Sequence, residues 1–111
     1  MCICVTITEK YQSGWRNKGG TSFRSNCKCG SWKNHWEIFS DRDLSQQKCS
    51  LRGCINLAEQ AAHIFRSEDG MFEWLAPLCR SCNHPTNDYF FSLEIGTVLV
   101  NANRAETCEV M

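Results

Sequence analysis

At the N-terminus Ile3, Val5 and Ile7 alternate with Cys4, Thr6 and Thr8, a period of two that predicts a half-buried strand. Residues 12–31, QSGWRNKGGTSFRSNCKCGS, hold no sustained period and are rich in Gly, Ser, Asn and Lys, which predicts a long loop carrying Cys27 and Cys29. The period then changes. Trp32, Trp36 and Phe39 recur at i, i+4 and i+7 behind Ser31, whose hydroxyl suits a helix N-cap, so SWKNHWEIF predicts a short amphipathic helix.

After the polar connector DRDLSQQ and the first cysteine pair the chain turns strand-like again. Glu59 to Arg66 predicts a strand, Ser67-Glu68-Asp69-Gly70 a turn with glycine available for positive φ, and Met71 to Ala76 a second short apolar segment. Tyr89 to Ile95 and Thr97 to Val100 are rich in aromatic and β-branched residues on either side of Gly96 and predict two more strands. With no internal repeat, low-complexity run or linker, the pattern predicts one α+β domain over residues 1–111.

Composition adds one strong signal, nine cysteines in 111 residues. Their number is odd, several lie in pairs too close for easy disulfides, and the start MCICVTITEKY lacks a basic region followed by a long apolar run. The expectation is a metal-binding protein of a reducing compartment, cytoplasmic, rather than a secreted disulfide framework. No apolar run approaches the ~18 residues of a membrane helix, so no membrane role is expected.

Net charge is zero but uneven: residues 1–55 hold nine Lys/Arg against four Asp/Glu, and residues 56–111 three against eight. That balance argues against a simple nucleic-acid binder, which concentrates basic charge on one face. Folding could still bring Lys28, Lys33, Lys48 and Arg52 alongside the candidate site in the Cys49 to Asn83 stretch.

The densest chemistry lies between Cys49 and Asn83. Cys49 with Cys54 and Cys79 with Cys82 form two short knuckles, and Gly53 permits the tight turn that aims the first pair at one ion. Four thiolates in this spacing suit a structural tetrahedral zinc ion. Between the knuckles, His63 is open to two readings from the residues alone: a buried imidazole in the strand pair, or a zinc ligand in place of one cysteine. Cys27, Cys29, His35 and Cys108 have the chemistry for a second metal site. Against it, Trp32 and Trp36 would be core and His35 a surface or cap residue, while Cys2 and Cys4 are expected to serve packing.

At these residues, from Cys49 to about Asn87, the chain resembles the zinc-containing HNH endonucleases. It shares the two cysteine pairs, eight residues from Cys54 to His63-Ile64, and the closing Leu78-Cys79-Arg80-Ser81-Cys82-Asn83. The resemblance implies a small ββα-metal, treble-clef core over residues 49–87, with additional N- and C-terminal strands. It also implies His63 as general base on the attacking water, and Asn83 helping to hold Mg2+ or another divalent ion on the scissile phosphate. The family's metal ligand before the histidine falls here on Ala62, and its mid-motif asparagine on Trp74. Pro85 interrupts the expected closing helix, while His84, Glu59, Glu68 or Asp69 could supply a replacement ligand.

Three function classes follow. One is a zinc-held HNH-like fold that no longer cuts and binds nucleic acid or a protein. Another is a small regulator or inhibitor presenting Trp15, Trp32, Trp36 and Phe23 to a partner. The alternative is an active HNH-type endonuclease using His63. No Gly-x-Ser-x-Gly elbow, phosphate-binding loop or deaminase His-x-Glu competes with these.

Overall fold

The computed structural model describes residues 5–9, 12–17, 31–66, 73–84 and 89–102. Six strands form one antiparallel sheet: β1 (Val5–Ile7), β2 (Gln12–Asn17), β3 (Gln60–Phe65), β4 (Glu73–Leu78), β5 (Phe91–Leu93) and β6 (Val98–Asn101). Their order is β1-β6-β4-β3-β2-β5, and the sheet curls into a half-barrel. One α-helix, α1 (Trp32–Ser40), and a short 3-10 turn (Leu44–Gln46) complete the described elements.

Register decides which side chains share a face. In the β3–β4 hairpin Ala62 pairs with Ala76 and Ile64 with Trp74, while His63 pairs with Leu75 and Ala61 with Pro77. Side chains alternate across a strand, so the first set lines the concave face and the second the convex one. The concave face closes over Trp15, Ala62, Ile64, Ala76, Leu78, Phe91, Leu93 and Leu99, together with Cys49 and Cys79. On the convex face Leu75, Val98 and Val100 pack with Trp36 and Leu44, and with Val5, Trp32, Phe39 and Ala61 at the margin.

Helix α1 covers that convex face with the stripe its sequence predicts. Ser31 is the N-cap, its hydroxyl accepting from the Asn34 N–H at 3.0 Å. Trp36 and His35 are fully buried, Trp36 donating its indole N–H to the Val98 carbonyl and His35 Nε2 bonding the Asn101 carbonyl, each at 3.0 Å. Because a carbonyl only accepts, His35 must carry its proton on Nε2.

Three expectations are corrected. The ββα-metal, treble-clef core does not form: the ββ hairpin is present, but no helix follows the second knuckle among the described residues, and α1 precedes both knuckles. The sequence explains this, because Pro85 disfavours helical backbone at His84 and the β-forming run at Phe90 to Leu93 follows.

The second correction is that residues 12–17 form β2 rather than part of a loop. Gly14, at φ 82°, and a register shift between Gln12 and Trp15 mark a bulge that hides the alternation. Third, Trp15 and Trp36 are core side chains, 1% and 0% exposed, and not surface anchors; Trp32 is half-buried and Phe23 lies outside the described residues. No described helix is long and apolar enough to cross a membrane.

Candidate metal centre

The sulfur atoms of Cys49, Cys54, Cys79 and Cys82 all lie within 4.8 Å of one another. Cys54 Sγ is 3.8 Å from both Cys79 Sγ and Cys82 Sγ. A tetrahedral zinc ion with bonds of about 2.3 Å sets its sulfurs about 3.8 Å apart, so these separations are the edges of such a tetrahedron. All four are free cysteines, two buried and two half-buried.

Each knuckle is shaped by backbone bonds. In the first, the Cys49 N–H donates to the Asn56 carbonyl at 2.9 Å and the Cys54 N–H to the Leu51 carbonyl at 3.0 Å. Gly53 turns the chain at φ +86°, a conformation that strains any residue with a Cβ. In the second, the Asn83 N–H donates to the Cys79 carbonyl at 3.1 Å.

Two carboxylates brace the knuckles from outside, Glu94 accepting from the Gly53 N–H and Glu59 from the Arg80 N–H, each at 3.0 Å. Asn17, from β2, donates to the Cys82 carbonyl at 3.0 Å. These supports come from distant strands and loops, so no local motif announces them.

The first knuckle also completes the barrel. Ser50 donates its N–H to Pro77 at the end of β4 and accepts from Glu94 beyond β5, each at 2.9 Å; Arg52 donates to Ser92 of β5 at 2.8 Å, and Leu51 bridges Leu93. β4 and β5 are otherwise separated by β3 and β2. The knuckle thus acts as the missing stave between them, and the second knuckle leaves β4 directly through Leu78. An ion held by both pairs ties the stave to the sheet.

The four thiols differ in how readily they give up a proton. Burial pushes the Cys49 thiol up to about 11 and also raises Cys82, whose sulfur lies against those of its neighbours. Burial acts on Cys79 in the same direction but is outweighed by the Ser81 hydroxyl, the Cys82 backbone and the Asn56 amide, which bring it down to about 6. Ser81 Oγ lies 3.4 Å and Asn56 Nδ2 3.7 Å from Cys79 Sγ. Cys79 is therefore the most readily ionised of these thiols, and a divalent cation held there would supply the charge that draws protons from Cys49 and Cys82.

The other predicted site residues lie elsewhere. His63, on β3, is 5% exposed beneath α1, its ring edge-on to Trp32 at 4.6 Å between centroids. Asn83 donates its side-chain amide to Gln60 Oε1 at 2.7 Å. Gln60 and His63 are three positions apart on one strand and face opposite sides of the sheet, so this anchoring holds Asn83 away from His63. Glu59 is engaged by the Arg80 backbone. His84 is exposed, while Glu68 and Asp69 lie outside the described residues.

For the second metal site, His35 is buried with Nε2 committed to Asn101. Cys27, Cys29 and Cys108 lie outside the described residues, as do Cys2 and Cys4. The comparisons return no match to a family model, a curated protein or a solved structure.

Proposed function

We propose that this chain is a zinc-held β module that works by binding a partner and not by cutting phosphodiesters. The convergence of four sulfurs carries the reading, since all lie within 4.8 Å of one another and two of their separations, at 3.8 Å, are those that tetrahedral zinc imposes. Cys49, Cys54, Cys79 and Cys82 fill all four positions of such an ion, which leaves no place for water or substrate. Its role is structural: it fixes the first knuckle as the stave that closes the curled sheet. The placement of His63 under Trp32, on the face opposite Asn83, supports the absence of nuclease chemistry.

A protein is the partner class that the surface favours. Ile55 is 87% and Leu57 61% exposed as the chain leaves the first knuckle, and Phe90 and Ile95 are exposed on either side of β5. Large aliphatic side chains in water at a braced, metal-held loop suit a protein surface better than a phosphate backbone.

The test is metal analysis of protein purified without added zinc, together with nicking of supercoiled DNA in magnesium, manganese or nickel. One zinc per chain and no nicking are expected. Substoichiometric metal with the four cysteines in disulfides would overturn the zinc centre. Nicking that is lost in His63→Ala would restore the nuclease.

A further inference from the structure

The four sulfurs are not equivalent. Cys49 and Cys79 are each 1% exposed, whereas Cys54 and Cys82 are half-buried and lie 3.8 Å apart, one from each knuckle. Cys79 sulfur further lies 3.4 Å from the Ser81 hydroxyl and accepts from the Asn56 amide at 3.7 Å. The two half-buried cysteines thus come one from each knuckle, while each knuckle's own pair joins a half-buried cysteine to a buried one.

We propose that Cys54 and Cys82 form a peroxide-sensitive modification site, in which oxidation expels the metal and leaves a disulfide between the same two knuckles. This rests on the zinc reading above. One thiolate attacks a peroxide oxygen, the O–O bond breaks, and a sulfenic acid forms as the second oxygen leaves as hydroxide. The other thiolate then attacks that sulfur and expels the remaining oxygen as hydroxide. Two thiolates have lost two electrons, the peroxide has gained them, and two protons complete two waters. Zinc, left with two of its four ligands, dissociates.

The choice of pair has a structural consequence. A Cys79–Cys82 or Cys49–Cys54 bond would lie within one knuckle and leave the stave untied. A Cys54–Cys82 bond joins the first knuckle to the end of β4, as the metal does. Oxidation would then be signalled by zinc release and by a changed surface around Ile55 while the barrel stays closed, and a dithiol reductant would restore the thiols.

The experiment starts from protein already shown to hold one zinc per chain. It is titrated with hydrogen peroxide while released zinc is followed by a chromogenic chelator. Free thiols are then alkylated and digested peptides mapped by mass spectrometry. One zinc released per chain, a cross-linked peptide pair containing Cys54 and Cys82, and recovery of zinc binding after dithiothreitol are expected. A disulfide within either knuckle, a bond from Cys54 or Cys82 to any other cysteine, sulfinic acid without a cross-link, or zinc retained through the titration would each overturn the proposal. Absence of zinc at the outset would instead defeat the reading beneath it.

Discussion

Ser50 donates its backbone N–H to the Pro77 carbonyl at 2.9 Å, which puts the residue after the first ligand beside the strand that leads into the third. The same residue's carbonyl accepts from Glu94 at 2.9 Å, so one residue links β4 to the far end of the sheet. Few backbone bonds hold this closure among the described residues, and a metal ion on the four cysteines would supply the rest. Structural zinc contributes roughly 10–16 kcal/mol of apparent free energy, as much as a typical domain's total of about 5–15 kcal/mol. Chelation, or Cys49→Ser, is therefore expected to release the stave. Hydrogen exchange at the Arg52 and Glu94 amides should rise to the unprotected rate first. Unchanged protection in protein stripped of metal would refute the stapling role.

Asn56 is placed to serve both sides of the centre. Its carbonyl accepts from the Cys49 N–H, and its side-chain amide lies 3.7 Å from Cys79 Sγ, with Ser81 Oγ at 3.4 Å from the same sulfur. Outer-shell donors of this kind typically account for about 10- to 100-fold in metal affinity. Asn56→Ala and Ser81→Ala should each weaken zinc binding within that range, measured by competition against a chelator of known affinity. Both variants should still bind one equivalent. Affinities equal to wild type would remove these residues from the centre.

His35 gives the fold an acid sensitivity separate from the metal. Burial holds its pKa below the usual 6.5, partly offset by the bond to Asn101, and Trp32 and Phe39 flank the ring at 5.4 and 4.9 Å. Above pH 6.5 the imidazole is neutral in both folded and unfolded chains. As pH falls through that value the unfolded chain binds a proton that the folded one refuses, so stability is lost on acidification. The slope is at most about 1.4 kcal/mol per pH unit. Urea unfolding of wild type and His35→Gln between pH 7.5 and 5.5 isolates it, because other groups titrate in both proteins. Wild type should lose stability more steeply; parallel curves would show that His35 does not titrate on unfolding.

Asp41 ends α1 in the left-handed region, φ 57°, while its N–H reaches the Glu37 carbonyl. An acidic side chain there carries backbone strain and sits at the negative end of the helix. Asp41→Gly should stabilise the fold by about 0.5–1 kcal/mol, seen as a higher denaturant midpoint with unchanged slope. A lower midpoint would mean that the carboxylate makes a compensating contact.

The parts of this molecule visible in the sequence are those fixed by local rules. Ser31 and the Trp32-Trp36-Phe39 spacing specify α1, the short apolar run Ala61-Ala62-His63-Ile64-Phe65 specifies β3, and the cysteine spacing specifies the two knuckles. β2 is hidden because its bulge breaks the alternation, and the closing helix that the family spacing implies is opposed by Pro85. Glu94, Glu59 and Asn17 brace the knuckles from residues 21 to 65 positions away, a relationship that only the closed sheet creates.

His63 separates the catalytic and structural readings of the whole segment. Its neighbours on β3, Ala62 and Ile64, enter the concave core, which leaves the imidazole on the convex face against Trp32, paired across the hairpin with Leu75. A general base needs a path to water and a substrate atom within hydrogen-bond reach, and the helix lies over this ring. Truncation should therefore register as lost packing: His63→Ala is expected to cost about 1–3 kcal/mol in urea unfolding. It should leave zinc content and the DNA-nicking background unchanged, because the sulfur cluster involves the opposite face. Full stability with altered metal content would place His63 in the centre instead of under the helix.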